Sequence, residues 1–190
     1  MKQNMNLIGI RAKKASDQKI STETKDKVLR DYALLINKEK KLIIKENIKD
    51  LELAKNKGLK ENLINRLLID EKKLENIQKA VKKIAKLKDP VNVSLSKWKR
   101  PNGLNISRVT IPIGVIGVIY ESRPNVTSDV ASLCFKSGNS VILKGGSEAI
   151  NTNRILASLF RKALKINNVD LNYIQFIDSK ERKMVDIMLS

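Results

Sequence analysis

Three apolar runs constrain this chain more than any other feature: Gly114–Tyr120 (GVIGVIY), Ser140–Lys144 (SVILK) and Tyr173–Ile177. Each is short, and the first two hardly alternate between apolar and polar residues. Parallel strands read this way when helices cover both faces of their sheet. Between the runs, apolar residues recur at helical spacing. Val126, Val130, Leu133 and Cys134 fall on one face of 125–137, which Gly138-Asn139 ends, and Ile155, Leu159 and Leu164 fall on one face of 151–165. A third helix begins at Lys180. The order β-α-β-α-β-α is the first half of a doubly wound, Rossmann-type nucleotide fold. Three parallel strands leave half a ligand crevice, so the chain reads as an α/β domain with an incomplete parallel sheet.

The first 90 residues follow a different period. Val28, Tyr32, Leu35 and Ile36 share a helical face, as do Ile44, Ile48 and Leu51, and Leu74, Ile77, Val81, Ile84 and Leu87 give the cleanest stripe. Gly58 fits a helix C-terminal cap, Asp70 an N-cap, and Pro90 a helix end. Residues 1–90 therefore read as helices packing on the nucleotide domain. Pro101-Asn102-Gly103 is a turn signal, and Leu104–Pro112 alternates, so 91–112 reads as a strand or hairpin reaching toward a partner subunit. The nucleotide unit is then 113–190.

Composition excludes several chemistries. There is no His and one Cys, Cys134. A Ser-His-Asp triad, a His-paired thiol, a His-ligated metal and an internal disulfide are all impossible, and no metal site is expected. Cys134 sits on an apolar helix face with nothing to activate it, and reads as a core residue. The net charge is +18, with 38 basic and 20 acidic residues. The basic residues are spread among apolar stripes and not clustered with aromatics, which favours solvated faces over a nucleic-acid surface. Val109–Tyr120 is broken by Pro112, Gly114 and Gly117 and is too short to span a bilayer, and Leu7–Ile10 is too short for a signal peptide, so a cytoplasmic location is expected.

Two loops could carry chemistry. Glu121-Ser122-Arg123-Pro124-Asn125 follows the first strand and enters a helix N-terminus, where ligands of open α/β sheets bind. Arg123 could grip a phosphate or carboxylate, and Asn125 could donate to an oxyanion. The plain alternative is a strand-to-helix loop with Asn125 as N-cap. Lys144-Gly145-Gly146-Ser147-Glu148 follows the second strand. Its glycines allow close backbone approach, and Lys144 could reach a ribose or phosphate. Here the plain alternative is a glycine turn capped by Ser147. Neither standard nucleotide motif is present. The Gly114-to-Gly117 spacing lies inside a strand and suggests close packing.

The run PIGVIGVIYESRPNVTSDVASLCFKSGNSVILKGGSEA, which begins at Pro112, closely resembles the gamma-glutamyl phosphate reductase family of the aldehyde dehydrogenase superfamily. Arg11–Ala15, Lys25–Leu35, Lys57-Gly58-Leu59, Asp89–Val91 and Gln175–Asp178 are similar in layout, so the resemblance extends over essentially the whole chain. It implies an aldehyde-dehydrogenase-like fold and NADPH-dependent reduction of L-glutamyl 5-phosphate to L-glutamate 5-semialdehyde, a step of proline biosynthesis. The family mechanism passes through a Cys thiolate and a thioacyl-enzyme. By resemblance, Asn125 supports the oxyanion, and Glu121, Ser122, Arg123 and Pro124 run along the cofactor. Lys144, with Ser147 and Glu148, meets the adenosine ribose of NADP. The family's nucleophile lies further along a longer chain, and Cys134 does not match it. The expectation is an N-terminal portion, inactive alone and able to form homo-oligomers. Two other readings share parts of this pattern: a non-catalytic remnant that pairs with another chain, and a basic nucleic-acid-binding module.

Overall fold

Helices account for the first half of the fold and an α/β unit for the second. The structure, a computed structural model, describes residues 2–121 and 123–189. Five helices come first: α1 (Lys2–Ser16), α2 (Thr22–Lys38), α3 (Lys40–Asn56), α4 (Glu61–Leu67) and α5 (Glu71–Ala85). The hairpin β1 (Ser94–Lys99) and β2 (Asn105–Val109) follows, then β3 (Val115–Tyr120), α6 (Asn125–Lys136), β4 (Ser140–Gly145), α7 (Ile150–Ile166), β5 (Ile174–Phe176) and α8 (Lys183–Leu189).

Local chemistry fixes several boundaries. The Asp70 carboxylate accepts the Lys73 N–H at 2.7 Å and starts α5. Gly58 takes φ +67 just past α3, a left-handed conformation that ends helices and that side chains resist. The α5 stripe buries Leu74, Ile77, Val81 and Ile84. That helix ends at Ala85, ahead of Pro90, and leaves Leu87 exposed. In α3 the fully buried residues are Ile43, Asn47, Asp50 and Ala54, while Ile44 and Leu51 pack partly buried beside the core and Ile48 is exposed. The polar pair is buried because it bonds other elements. Asn47 accepts the Ile69 N–H at 2.8 Å and donates to the Leu67 carbonyl at 2.9 Å and to Thr152 at 3.1 Å.

The sheet has order β3-β4-β5, all parallel. Strand β4 is central and wholly buried. Its Val141 and Leu143 join the main core with α6 and α7, while Ile142 turns to the opposite face with Met5, Ala12 and Met184. Helices therefore cover both faces at β4. Strand β3 was expected to be covered equally, but it is an edge and stays half-exposed. Gly117 admits the Met188 side chain where a Cβ would collide, so close packing holds there. Gly114 has open space and φ +115, so it serves conformation instead. The core centres on Tyr32, Phe135, Phe160 and Tyr173, with Tyr32 and Phe160 centroids 4.4 Å apart. Burying each such ring is worth about 1.5–3 kcal/mol. No helix of the described residues is long and apolar enough to cross a membrane.

Candidate functional site

The parallel register brings the two candidate loops together. Ile119 pairs with Lys144, and Tyr120 with Gly145, so 121–125 and 146–148 leave the sheet side by side at its carboxyl end. That end is where a doubly wound sheet binds ligands.

In the first loop, Glu121 and Arg123 are exposed and Pro124 is buried. Ser122 lies outside the described residues. Pro124, not Asn125, occupies the N-cap position of α6, with no side-chain cap bond. Its backbone is already helical (φ −57, ψ −31), which displaces Asn125 into the first turn. The Asn125 amide, which carries two N–H groups, donates one to Asp129 Oδ2 at 3.1 Å, one turn on. Burial raises the Asp129 pKa, opposed by that Asn125 bond.

In the second loop, Lys144 is only 5% exposed, and its ammonium donates to the Gly145 carbonyl at 2.9 Å. Burial lowers its pKa, opposed by the charge of Glu148. Gly145 leaves no room for a side chain, since a Cβ would collide with the buried Asn153 Nδ2 and press on the Tyr120 ring, whereas a Cβ at Gly146 would meet only the movable Glu148 carboxylate. Ser147 does not cap α7. The cap comes from α3: Asp50 accepts the Asn151 N–H at 3.1 Å and the Thr152 N–H at 2.8 Å.

The inner face of α6 also differs from expectation. Leu133 is half-exposed, and Thr127, Ser128 and Ser132 are buried instead. The Tyr120 hydroxyl lies 2.6 Å from Thr127 Oγ1, which bonds Asn153 at 2.9 Å. Burial pushes the Tyr120 phenol up to about 12, against the Thr127 bond. This bridge ties the end of β3 to α6 and α7 and holds both loops in place. Cys134 is buried, and burial pushes its thiol up to about 11, as expected of a core cysteine.

Two grooves adjoin the first loop. One, of 360 Å³, is lined by Arg66, Tyr120, Glu121, Arg123 and Val126 among others. The second, of 340 Å³, is lined by Arg66, Lys73, Asn125 and Asp129 among others. Lys144, Ser147 and Glu148 lie outside both. Arg66 borders both grooves and had no signal in the sequence. Asp129 had one, its four-residue spacing from Asn125.

No family model matches the chain. A gamma-glutamyl phosphate reductase of Desulfatibacillum aliphaticivorans is 44% identical over 172 residues, 90% of this chain and 41% of that protein. The solved gamma-glutamyl phosphate reductase of Thermotoga maritima has a TM-score of 0.91 and 38% identity, covering 94% of this chain and 44% of its own. A propionaldehyde dehydrogenase of Clostridium phytofermentans shares the fold at a TM-score of 0.68 and 15% identity, over 95% of this chain and 38% of its own. The expected fold class is borne out. Identity and superposition together relate this chain to the gamma-glutamyl phosphate reductases, on the aldehyde dehydrogenase fold, and it spans about two-fifths of their length.

Proposed function

We propose that this chain supplies the dinucleotide-binding and oxyanion-supporting part of a reductase that converts L-glutamyl 5-phosphate to L-glutamate 5-semialdehyde and phosphate. The observation that supports it is the likeness, across nine-tenths of the chain, to proteins of that name. In the reaction the acyl carbon loses its bond to phosphate and gains a hydride. NADPH, when bound, supplies that hydride.

The residues fit such a cofactor. Lys144 is a buried cation near the end of the central strand that donates to a neighbouring carbonyl. Beside it, Gly145, where a Cβ would collide, and Gly146 leave the backbone bare for close approach. Lys144 would hold the adenosine ribose and its extra phosphate, with Ser147 and Glu148 at the ribose hydroxyls and Glu121, Arg123 and Pro124 along the remainder. The Asn125 amide and the α6 N-terminus favour negative charge on the acyl oxygen. Arg123, on the groove beside the loop, suits the departing phosphate. The attacking thiol of such a reaction is not Cys134, the chain's sole cysteine, because burial keeps it protonated.

Fluorescence titration of the 190-residue chain tests the cofactor. NADPH is expected to bind more tightly than NADH, and Lys144→Ala to weaken NADPH about tenfold or more. Unchanged affinity in that variant would remove Lys144 from the site. The chain alone is expected to show no NADPH oxidation dependent on glutamyl phosphate, and steady oxidation would contradict the reading of Cys134. The exposed hairpin is proposed to meet a second copy of the chain.

A further inference from the structure

We propose that the groove between α4, α5 and α6 takes the α-amino-acid end of the substrate, with the Arg66 guanidinium on its carboxylate and the Asp129 carboxylate on its ammonium. The substrate's identity rests on the reductase reading; the groove's preference for a zwitterion does not.

Asp129 is a half-buried carboxylate in a chain of net charge +18. Among the described residues no cation reaches ion-pair distance of it, and its hydrogen-bond partner is the neutral amide of Asn125. A carboxylate partly withdrawn from water, without a counter-charge, destabilises the fold unless something cationic joins it. Arg66 is the complement. It lines the same groove, is exposed, and among the described residues its guanidinium makes no hydrogen bond or ion pair. The two charges line one cavity and do not pair with each other.

Their placement is not loose. Arg66 sits in the last turn of α4, where the Lys73 ammonium grips the Asn65 carbonyl at 2.9 Å and the Leu68 carbonyl at 2.7 Å. Asp129 stands one turn from Asn125, on the same face of α6. A free amino acid offers a carboxylate for two-point guanidinium binding and an ammonium for a carboxylate. The groove, at 340 Å³, accommodates a molecule of that size. Asn125 also lines it, so a substrate held at its amino-acid end extends its far carbonyl along the amide proposed to stabilise the oxyanion. Arg66 and Asp129 would then set specificity for an α-amino acid.

Chemical-shift titration of the 190-residue chain with L-glutamate, glutarate and 4-aminobutyrate tests this. Glutarate lacks the ammonium, and 4-aminobutyrate lacks the α-carboxylate. Glutamate is expected to bind most tightly. Asp129→Asn is expected to weaken glutamate about tenfold and leave glutarate unchanged. Arg66→Gln, an exposed position safe for folding, is expected to weaken glutamate and glutarate about tenfold and spare 4-aminobutyrate. Absence of saturable glutamate binding by the unaltered chain overturns the proposal. So does an equal loss of glutamate and glutarate in Asp129→Asn. Glutamate binding without NADPH binding would instead refute the reductase reading and leave the groove assignment standing.

Discussion

Asp89 carries three hydrogen bonds: from Lys25 Nζ at 2.8 Å, Thr22 Oγ1 at 2.9 Å and the Val91 N–H at 3.0 Å. Burial alone would raise its pKa, but these donors outweigh it and hold the carboxyl below its ordinary 3.8. A depressed folded pKa stabilises the fold above the unfolded value, and the gain is lost as pH falls through the folded one. Urea unfolding is therefore expected to show stability dropping below about pH 4 in the native chain. Asp89→Asn should flatten that acid slope and cost about 3 kcal/mol near neutrality, since it strands the buried Lys25. Parallel pH curves for the two proteins would contradict this. Lys25 and Lys136 show what a linear reading misses at this scale. Lysine reads as a solvated residue, yet Lys25 pairs with Asp89, 64 positions away, and Lys136 with Asp26, 110 positions away. Cys134 was legible because its apolar neighbours and the lack of His are both local facts.

Asp50 joins two helices that the sequence presents as separate. Its carboxylate, fully buried in α3, accepts the Asn151 and Thr152 N–H groups and the Thr152 hydroxyl at the start of α7. It satisfies amides that no residue of α7 caps and places negative charge at the positive end of that helix. Asp50→Ala is expected to cost about 2–3 kcal/mol. Amide exchange should accelerate in the first turn of α7 before its centre, and uniform protection along α7 would count against a capping role. The existence and order of the helices were legible because apolar period reports them directly. Inward faces were less so. In α3 and α6 the buried stripe contains Asn47, Asp50, Thr127 and Ser128, polar residues that are buried only because their partners lie on other elements. Asp70 and Gly58 were readable as caps from their own chemistry, whereas Asn125 and Ser147 were not, since Pro124 and Asp50 took those roles.

At the scale of the molecule, the near-continuous apolar runs gave the parallel sheet, but not which strand lies at its edge, because edge position depends on strand order and not on composition. The hairpin poses the remaining question. Its strands pair antiparallel, Trp98 opposite Ile106, and the apolar residues around it lie open to solvent: Leu95 is 57% exposed, Ile111 75% and Ile113 83%. Lys97, Lys99, Arg100 and Arg108 share that hairpin and its approaches. Two copies meeting there would gain apolar burial and suffer like-charge repulsion, which salt screens. Self-association is therefore expected to strengthen with added salt, whereas binding of a nucleic acid to this +18 chain would weaken steeply. Trp98, the sole tryptophan, reports it directly. Its emission should shift to shorter wavelength, and the sedimentation coefficient should rise, as protein or salt concentration increases. Leu95→Lys should keep the chain monomeric without changing its melting temperature, because the Leu95 side chain stands outside the core clusters. An emission spectrum independent of concentration, with a single monomeric species throughout, would remove the second copy from the hairpin.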